Sequence, residues 1–192
     1  PRGLDRPDVD LRVRYGDGEW PDELSAQLYA DEIYPVASPA FAKAYPVGSI
    51  AELARLPLLS VEGPDWAWTT WADFLREVGH ADRPLNVRRF TSYVIAMQAA
   101  RSGQGVALGW ESLVAPLIEA GNLVRVTKTE IAAPQSYFVT WSARRPLSPH
   151  AAMLRDWLLS LGSLSSAQAS RLPISLEEPA RRRSPKIKGE PA

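Results

Sequence analysis

Val9, Leu11, Val13 and Tyr15 alternate with Asp10, Arg12 and Arg14, the two-residue period of a strand with one buried face, and Gly16-Asp17-Gly18 ends the run. Residues 28–36 predict a second, longer extended segment. Ser38 ahead of Pro39 supplies an N-cap followed by Pro at the first helical position, predicting a short helix over 40–45. Ser49 and Glu52 stand at capping-box spacing before another short helix, and residues 58–61 follow as a strand. Thr70 precedes a helix that places Trp71, Phe74, Leu75 and Val78 on one face, with Gly79 at its left-handed stop.

Residues 85–90 predict a strand, after which Thr91 and Ser92 stand before a helix over 93–101 closed by Gly103. Strand 106–108, helix 111–119 ending at Gly121, strand 123–126 and strand 136–141 come next. Ser148-Pro149 repeats the cap-plus-Pro start ahead of a helix presenting Met153, Leu154, Trp157, Leu158 and Leu161. Strands alternating with helices predict an α/β sandwich with a largely parallel sheet. Residues 163–192, rich in Ser, Pro, Glu and Arg, are expected to be a disordered tail.

Composition narrows the function classes. In a chain of 192 residues, 22 basic side chains balance 22 acidic ones, so no bulk field attracts a polyanion. The tail run Arg181-Arg182-Arg183 with Lys186 and Lys188 reads as a solvated segment rather than a nucleic-acid patch. No cysteine is present, which excludes disulfides and thiolate chemistry and fits a reducing compartment. With no secretion signal and no apolar run of membrane-spanning length, the expected location is cytoplasmic, without membrane association. Because the chain starts Pro1-Arg2-Gly3-Leu4 rather than with Met, it is expected to be a fragment or a processed product.

Catalytic chemistry finds no foothold. His80 follows a helix stop and His150 lies in a first helical turn, both expected to be exposed, and neither is paired with a nucleophile. No phosphate-binding glycine loop and no His/Asp/Glu cluster at metal spacing occurs, so neither a cofactor nor a metal is expected and the chain is not expected to be an enzyme.

The string Asp10-Leu11-Arg12-Val13-Arg14-Tyr15-Gly16-Asp17-Gly18-Glu19-Trp20-Pro21 resembles a signature of LysR-type transcriptional regulators of the glycine-cleavage-activator subgroup. Three further segments agree in order: Tyr34-Pro35-Val36-Ala37-Ser38-Pro39; Trp68 and Trp71 with Phe74 and Gly79; and Phe90-Thr91-Ser92-Tyr93 followed by Gln98-Ala99-Ala100 and residues 103–109. The resemblance covers roughly residues 5–160.

It implies a two-lobed, type II periplasmic-binding-protein-like fold that holds a small-molecule effector between lobes joined by crossing strands. Lobe one is expected to be incomplete, comprising 1–36 and 134–162 with the hinge strands, and lobe two to span 37–133. The implied role is effector sensing in a regulator whose winged helix-turn-helix is missing here, so DNA is reached only through that absent domain. A homo-oligomer is expected. The alternatives are a free-standing solute-binding protein of the same fold and a truncated relic that binds nothing.

Ligands of α/β sheets lie beyond the carboxyl ends of strands, where helix N-termini direct free N–H groups at them. Phe90, Thr91 and Ser92 form such a junction, which the resemblance puts in the cleft and which suits an anionic effector; the alternative is that Thr91 or Ser92 only caps the helix. Further candidates are Arg14 and Tyr15 at the end of the first strand, Ser38 as a cap at the lobe boundary, Trp66 in a Trp-rich segment, and Tyr137 on the returning strand. Trp71 is expected in the core.

Overall fold

The computed structural model describes residues 9–62, 68–80 and 84–162. Its elements are β1 (Arg12–Gly16), β2 (Glu23–Ala37), α1 (Pro39–Ala44), α2 (Ile50–Leu53), β3 (Leu58–Val61), α3 (Trp71–Glu77) and β4 (Val87–Phe90). After these come α4 (Tyr93–Arg101), β5 (Val106–Trp110), α5 (Glu111–Glu119), β6 (Val124–Arg125), β7 (Ile131–Ser142) and α6 (Pro149–Gly162). The expected tail lies outside the described residues, as does Trp66.

One seven-stranded sheet runs in the order β1-β7-β2-β5-β3-β4, with β6 pairing on β2. Among the described residues, β3–β4 and β3–β5 are parallel, and β1–β7, β2–β7, β2–β5 and β2–β6 are antiparallel. The sheet is therefore mixed, not largely parallel as alternation alone suggested. Alternation reports which elements follow one another, whereas β2 and β7 pair antiparallel with strands far away in sequence.

The core sits on both faces of the parallel half. Along β5, Val106, Leu108 and Trp110 join Leu58, Trp71, Phe74 and Leu75 on one face. Ala107 joins Leu59, Ala96, Ala100 and Val114 on the other. The strand pleat thus divides one sequence between two helical layers, α3 on one side and α4 with α5 on the other. Trp71 is core as expected, 1% exposed, its indole N–H donating to the Leu59 carbonyl at 3.0 Å.

The caps expected from sequence form. Ser38 accepts from the Phe41 N–H, Ser49 from the Glu52 N–H, and Thr70 and Asp73 make a reciprocal capping box. Gly105 marks a close approach of backbones: its φ is +155°, and a Cβ there would stand 2.4 Å from the Pro57 carbonyl oxygen, which the Val106 N–H needs at 2.9 Å.

β2 and β7 begin earlier than their apolar runs indicate. The segment Glu23–Gln27 has weak strand propensity, yet it pairs with Phe138–Ser142, so tertiary pairing overrides composition. The ladder slips between Gln27 and Tyr29 and again between Ala30 and Glu32. Opposite the second slip stand residues 133–135 of β7, including Pro134, which cannot donate to a ladder and fits an irregular stretch.

Candidate functional site

β3, β4 and β5 run parallel and finish at Val61, Phe90 and Trp110, directly before the starts of α4 and α5. Both helices therefore present their amino ends at this edge of the sheet. Ser92 takes the N-cap position of α4 in an extended conformation but makes no side-chain capping bond. The first intrahelical bond there runs from Ala96 back to the Ser92 carbonyl, and Thr91 beside it is exposed. The capping alternative weighed from sequence is thus absent for Ser92, and its hydroxyl is not consumed by the helix.

α5 is closed differently. Its N-cap residue, Trp110, has no capping side chain, and the missing acceptor comes from Asp31 of β2. The Asp31 carboxylate accepts from the Ser112 N–H at 3.1 Å, the Ser112 hydroxyl at 2.5 Å and the Glu32 N–H at 2.9 Å, while only 4% exposed. A buried carboxylate with three donors is well matched. Its placement ties the irregular stretch of β2 to the first turn of α5.

Six aromatic rings run unbroken across this edge. Tyr29 stacks on Tyr137 at 4.8 Å, Tyr137 meets Tyr15 at 5.1 Å, and Tyr15 meets Trp110 edge-on at 5.4 Å; Trp110 then meets Trp68 at 5.3 Å, which stacks on Tyr93 at 4.9 Å. The chain of rings starts on β2, β7 and β1 and ends on β5, the segment before α3, and α4. Two phenols are anchored by backbone: the Tyr15 hydroxyl accepts from the Gln135 N–H, and that of Tyr93 from the Trp110 N–H, both at 3.1 Å.

Burial pushes the Tyr137 phenol up to about 12, with the neighbouring Tyr29 and the Asp31 carboxylate adding to the effect. Burial likewise raises Tyr15 and Tyr93, against the lowering effect of those backbone bonds. All of these phenols remain neutral donors at physiological pH. Between Ser60, Val61, Trp68, Thr69, Tyr93 and Trp110 lies a pocket of about 10 Å³, the size of a single water site. The Ser60 hydroxyl, 3% exposed, has no hydrogen-bond partner among the described residues.

Of the residues expected from sequence, Tyr15, Tyr137, Phe90, Thr91 and Ser92 fall at this edge. Arg14 does not join them: it projects to the opposite sheet face from Tyr15, bonds Glu23 at 3.0 Å and lies 4.6 Å over the Trp20 ring. Gly16 lets Trp20 fold back here, since a Cβ at Gly16 would stand 2.6 Å from the Trp20 ring. Ser38 lies elsewhere as well. Its hydroxyl sits close to Gly103, past the far end of α4, and is committed to the Phe41 N–H. Sequence reasoning missed Asp31, Ser112, Tyr29 and Tyr93, and left Trp68 unassigned. A lone acid inside the apolar stretch 28–36 was the available signal for Asp31.

His80 departs from its expected exposure: it is half-buried, and its Nε2 has no hydrogen-bond partner among the described residues. A wider groove of about 510 Å³ between Val47, Arg125 and Lys128 belongs to the other end of the sheet, where β6 pairs with Val36 and Ala37. It has no aromatic wall. Among the described residues no group of three His, Cys, Asp or Glu side chains is placed to hold a metal ion, and no helix is long and apolar enough to cross a membrane.

A mixed sheet with two long crossing strands, whose parallel half ends in a polar and aromatic edge, defines an effector-binding domain of the type II periplasmic-binding-protein-like fold. Solved structures agree. The AmpR effector binding domain from Citrobacter freundii superposes with a TM-score of 0.66 at 28% identity, over 81% of this chain and 76% of that one. The effector domain of AmpR from Pseudomonas aeruginosa shares the fold at a TM-score of 0.67 and 23% identity, over 85% and 76% of the two chains.

The chain belongs to the LysR substrate binding domain family, whose sequence model matches residues 1–163. The glycine cleavage system transcriptional activator of Escherichia coli (strain K12) is 29% identical over 157 residues, 80% of this chain and 50% of that protein. The AhcY transcriptional activator HvrB of Rhodobacter capsulatus is 30% identical over 150 residues, 78% and 49% of the two chains. The chain therefore spans about half the length of the curated relatives it matches. These relatives are transcriptional regulators, not enzymes, and the free-standing solute-binding alternative is not favoured.

Proposed function

We propose that this chain is the sensing domain of a cytoplasmic, DNA-binding, homo-oligomeric LysR-type regulator, and that its effector is a small molecule with an anionic group held at the amino end of α4. The observation that carries this reading is the open α4 terminus: Ser92 and Thr91 stand at the end of a parallel strand with no capping bond made by Ser92. Free N–H groups, a helix dipole and two hydroxyls favour a carboxylate or similar acid. Lobe one comprises residues 1–36 and 134–162, and lobe two residues 37–133. Occupancy at their junction biases the angle between them through β2 and β7, whose ladder slips between Gln27 and Tyr29 and again between Ala30 and Glu32.

The test is a thermal-shift screen of small organic acids against the wild type and a Thr91→Ala/Ser92→Ala variant. A stabilising acid should lose at least about tenfold in affinity in the variant, since each bond to a charged group is worth about 1.5–3 kcal/mol. Unchanged affinity, with the fold intact by circular dichroism, removes α4 from the site.

A further inference from the structure

At the amino end of the parallel strands, away from the aromatic edge, β6 runs beside Val36 and Ala37 of β2, and Val36 also pairs with Ala107 near the start of β5. The groove of about 510 Å³ at this end is lined by Val47, Arg125, Val126, Thr127, Lys128 and Glu130. Its volume suits a small organic molecule rather than a lone ion. Two cations against one carboxylate leave the lining with an excess of positive charge.

Arg125 is held in place. Its guanidinium lies 3.8 Å from the centre of the Tyr34 ring, which is 1% exposed and fixed by the core around it. The Tyr34 hydroxyl in turn donates to the Glu111 carboxylate in the first turn of α5. A guanidinium seated on an immobile ring loses little further freedom when it binds an oxyanion. Its partner here is Glu130, and both members of that pair are open to solvent, so the carboxylate gives way at small cost.

The loop after β6 adds donors. Lys128 makes no ion pair among the described residues. The Thr127 hydroxyl accepts from the Thr129 N–H at 3.1 Å and folds the loop, while the N–H groups of Thr127 and Lys128 make no hydrogen bond among the described residues.

We infer that this groove is a second binding site, separate from the effector edge, for a small phosphate monoester. Arg125 and Lys128 take the phosphoryl oxygens, the Glu130 carboxylate is displaced, and Val47 and Val126 meet the organic body. A phosphate group suits the site better than a single carboxylate: its second charge near neutral pH matches the two cations left when Glu130 moves away, and its three terminal oxygens serve a guanidinium fork and an ammonium together.

The experiment is calorimetry of this chain with inorganic phosphate, glycerol phosphate, ribose phosphate and phosphoserine, with glycerol, ribose, serine and succinate as comparisons. At least one monoester should bind more tightly than inorganic phosphate, its dephosphorylated body should be silent, and succinate should be weaker. Arg125→Gln should lower the affinity at least about tenfold and Lys128→Gln about three- to tenfold, whereas Glu130→Gln should raise it about two- to fivefold as the competing carboxylate goes. Glu19→Gln, the same charge change before the other end of β2, should stay within about twofold, as should Thr91→Ala/Ser92→Ala. The Lys128 and Glu130 variants keep the test decisive should Arg125→Gln loosen the packing over Tyr34.

The absence of binding by any of the monoesters, or affinity unchanged in both Arg125→Gln and Lys128→Gln, overturns the site. Loss of binding in Thr91→Ala/Ser92→Ala puts the phosphate on α4 and overturns it too, while leaving the effector reading standing. Succinate binding as tight as that of the monoesters overturns the phosphoryl assignment. Equal gains in Glu130→Gln and Glu19→Gln overturn the displacement by reducing it to net charge.

Discussion

At the residue scale the informative side chains are those whose partners lie far away in sequence. Asp31 accepts from Ser112, 81 positions later, and no local pattern encodes that meeting. Its replacement by Ala leaves the Ser112 N–H and the first turn of α5 unsatisfied. Stability should fall by about 1–3 kcal/mol, read as a drop of roughly 2–12 °C in Tm; an unchanged Tm would mean that water replaces the carboxylate without cost. Glu23 behaves differently. Partial burial raises its pKa, but the neighbouring Thr140 hydroxyl, the hydrogen bond from Arg14 and the charges of Arg14 and Arg12 together outweigh this and hold it below the ordinary carboxylate value. Its contribution is complete above the unfolded-state value and is lost as pH falls through the depressed folded-state value. Glu23→Gln should therefore lower Tm near neutral pH and converge with wild type in acid, as a pH series of melting curves would reveal.

At the scale of elements, helix caps were legible because they are local: Ser38, Ser49 and Thr70 all cap as their spacing predicts. Strand ends were not. Glu23–Gln27 becomes strand only because β7 lies beside it, and the break around Asp31 arises from two ladders of unequal length. β1 pairs along its whole length with β7, from Arg12 against Thr140 to Gly16 against Ser136. Hydrogen exchange should consequently show alternate β1 amides protected and the intervening ones fast. The doubly flanked stretch of β2 from Ile33 to Val36 should be slow throughout. Uniform protection of β1 in a monomer would require a further strand on its outer edge. Gly105→Ala should cost about 1–3 kcal/mol in a denaturant titration, because both its backbone angle and the Pro57 carbonyl exclude a Cβ.

At the scale of the whole molecule, several apolar side chains on β1, β2 and the last helix stay exposed to water. Val13, Leu24, Met153 and Trp157 are 56%, 50%, 70% and 55% exposed. Exposed apolar area of this kind favours association. Sedimentation over a concentration series should show self-association that Met153→Lys/Trp157→Lys weakens, with Tm unchanged; a concentration-independent monomer would remove that face from any oligomer. The sequence by itself determined the α/β class, the order of elements, the helix caps and the strand-to-helix junction at Phe90-Thr91-Ser92, because periodicity, capping and turn chemistry act over a few residues. Only the tertiary structure decided that the sheet is mixed, that Arg14 turns to the opposite sheet face from Tyr15, that the Ser38 hydroxyl is committed to the Phe41 N–H, and that Asp31 meets Ser112. Those outcomes depend on which distant strands pair and in what register, and a shift of one residue turns a side chain to the other face of the sheet.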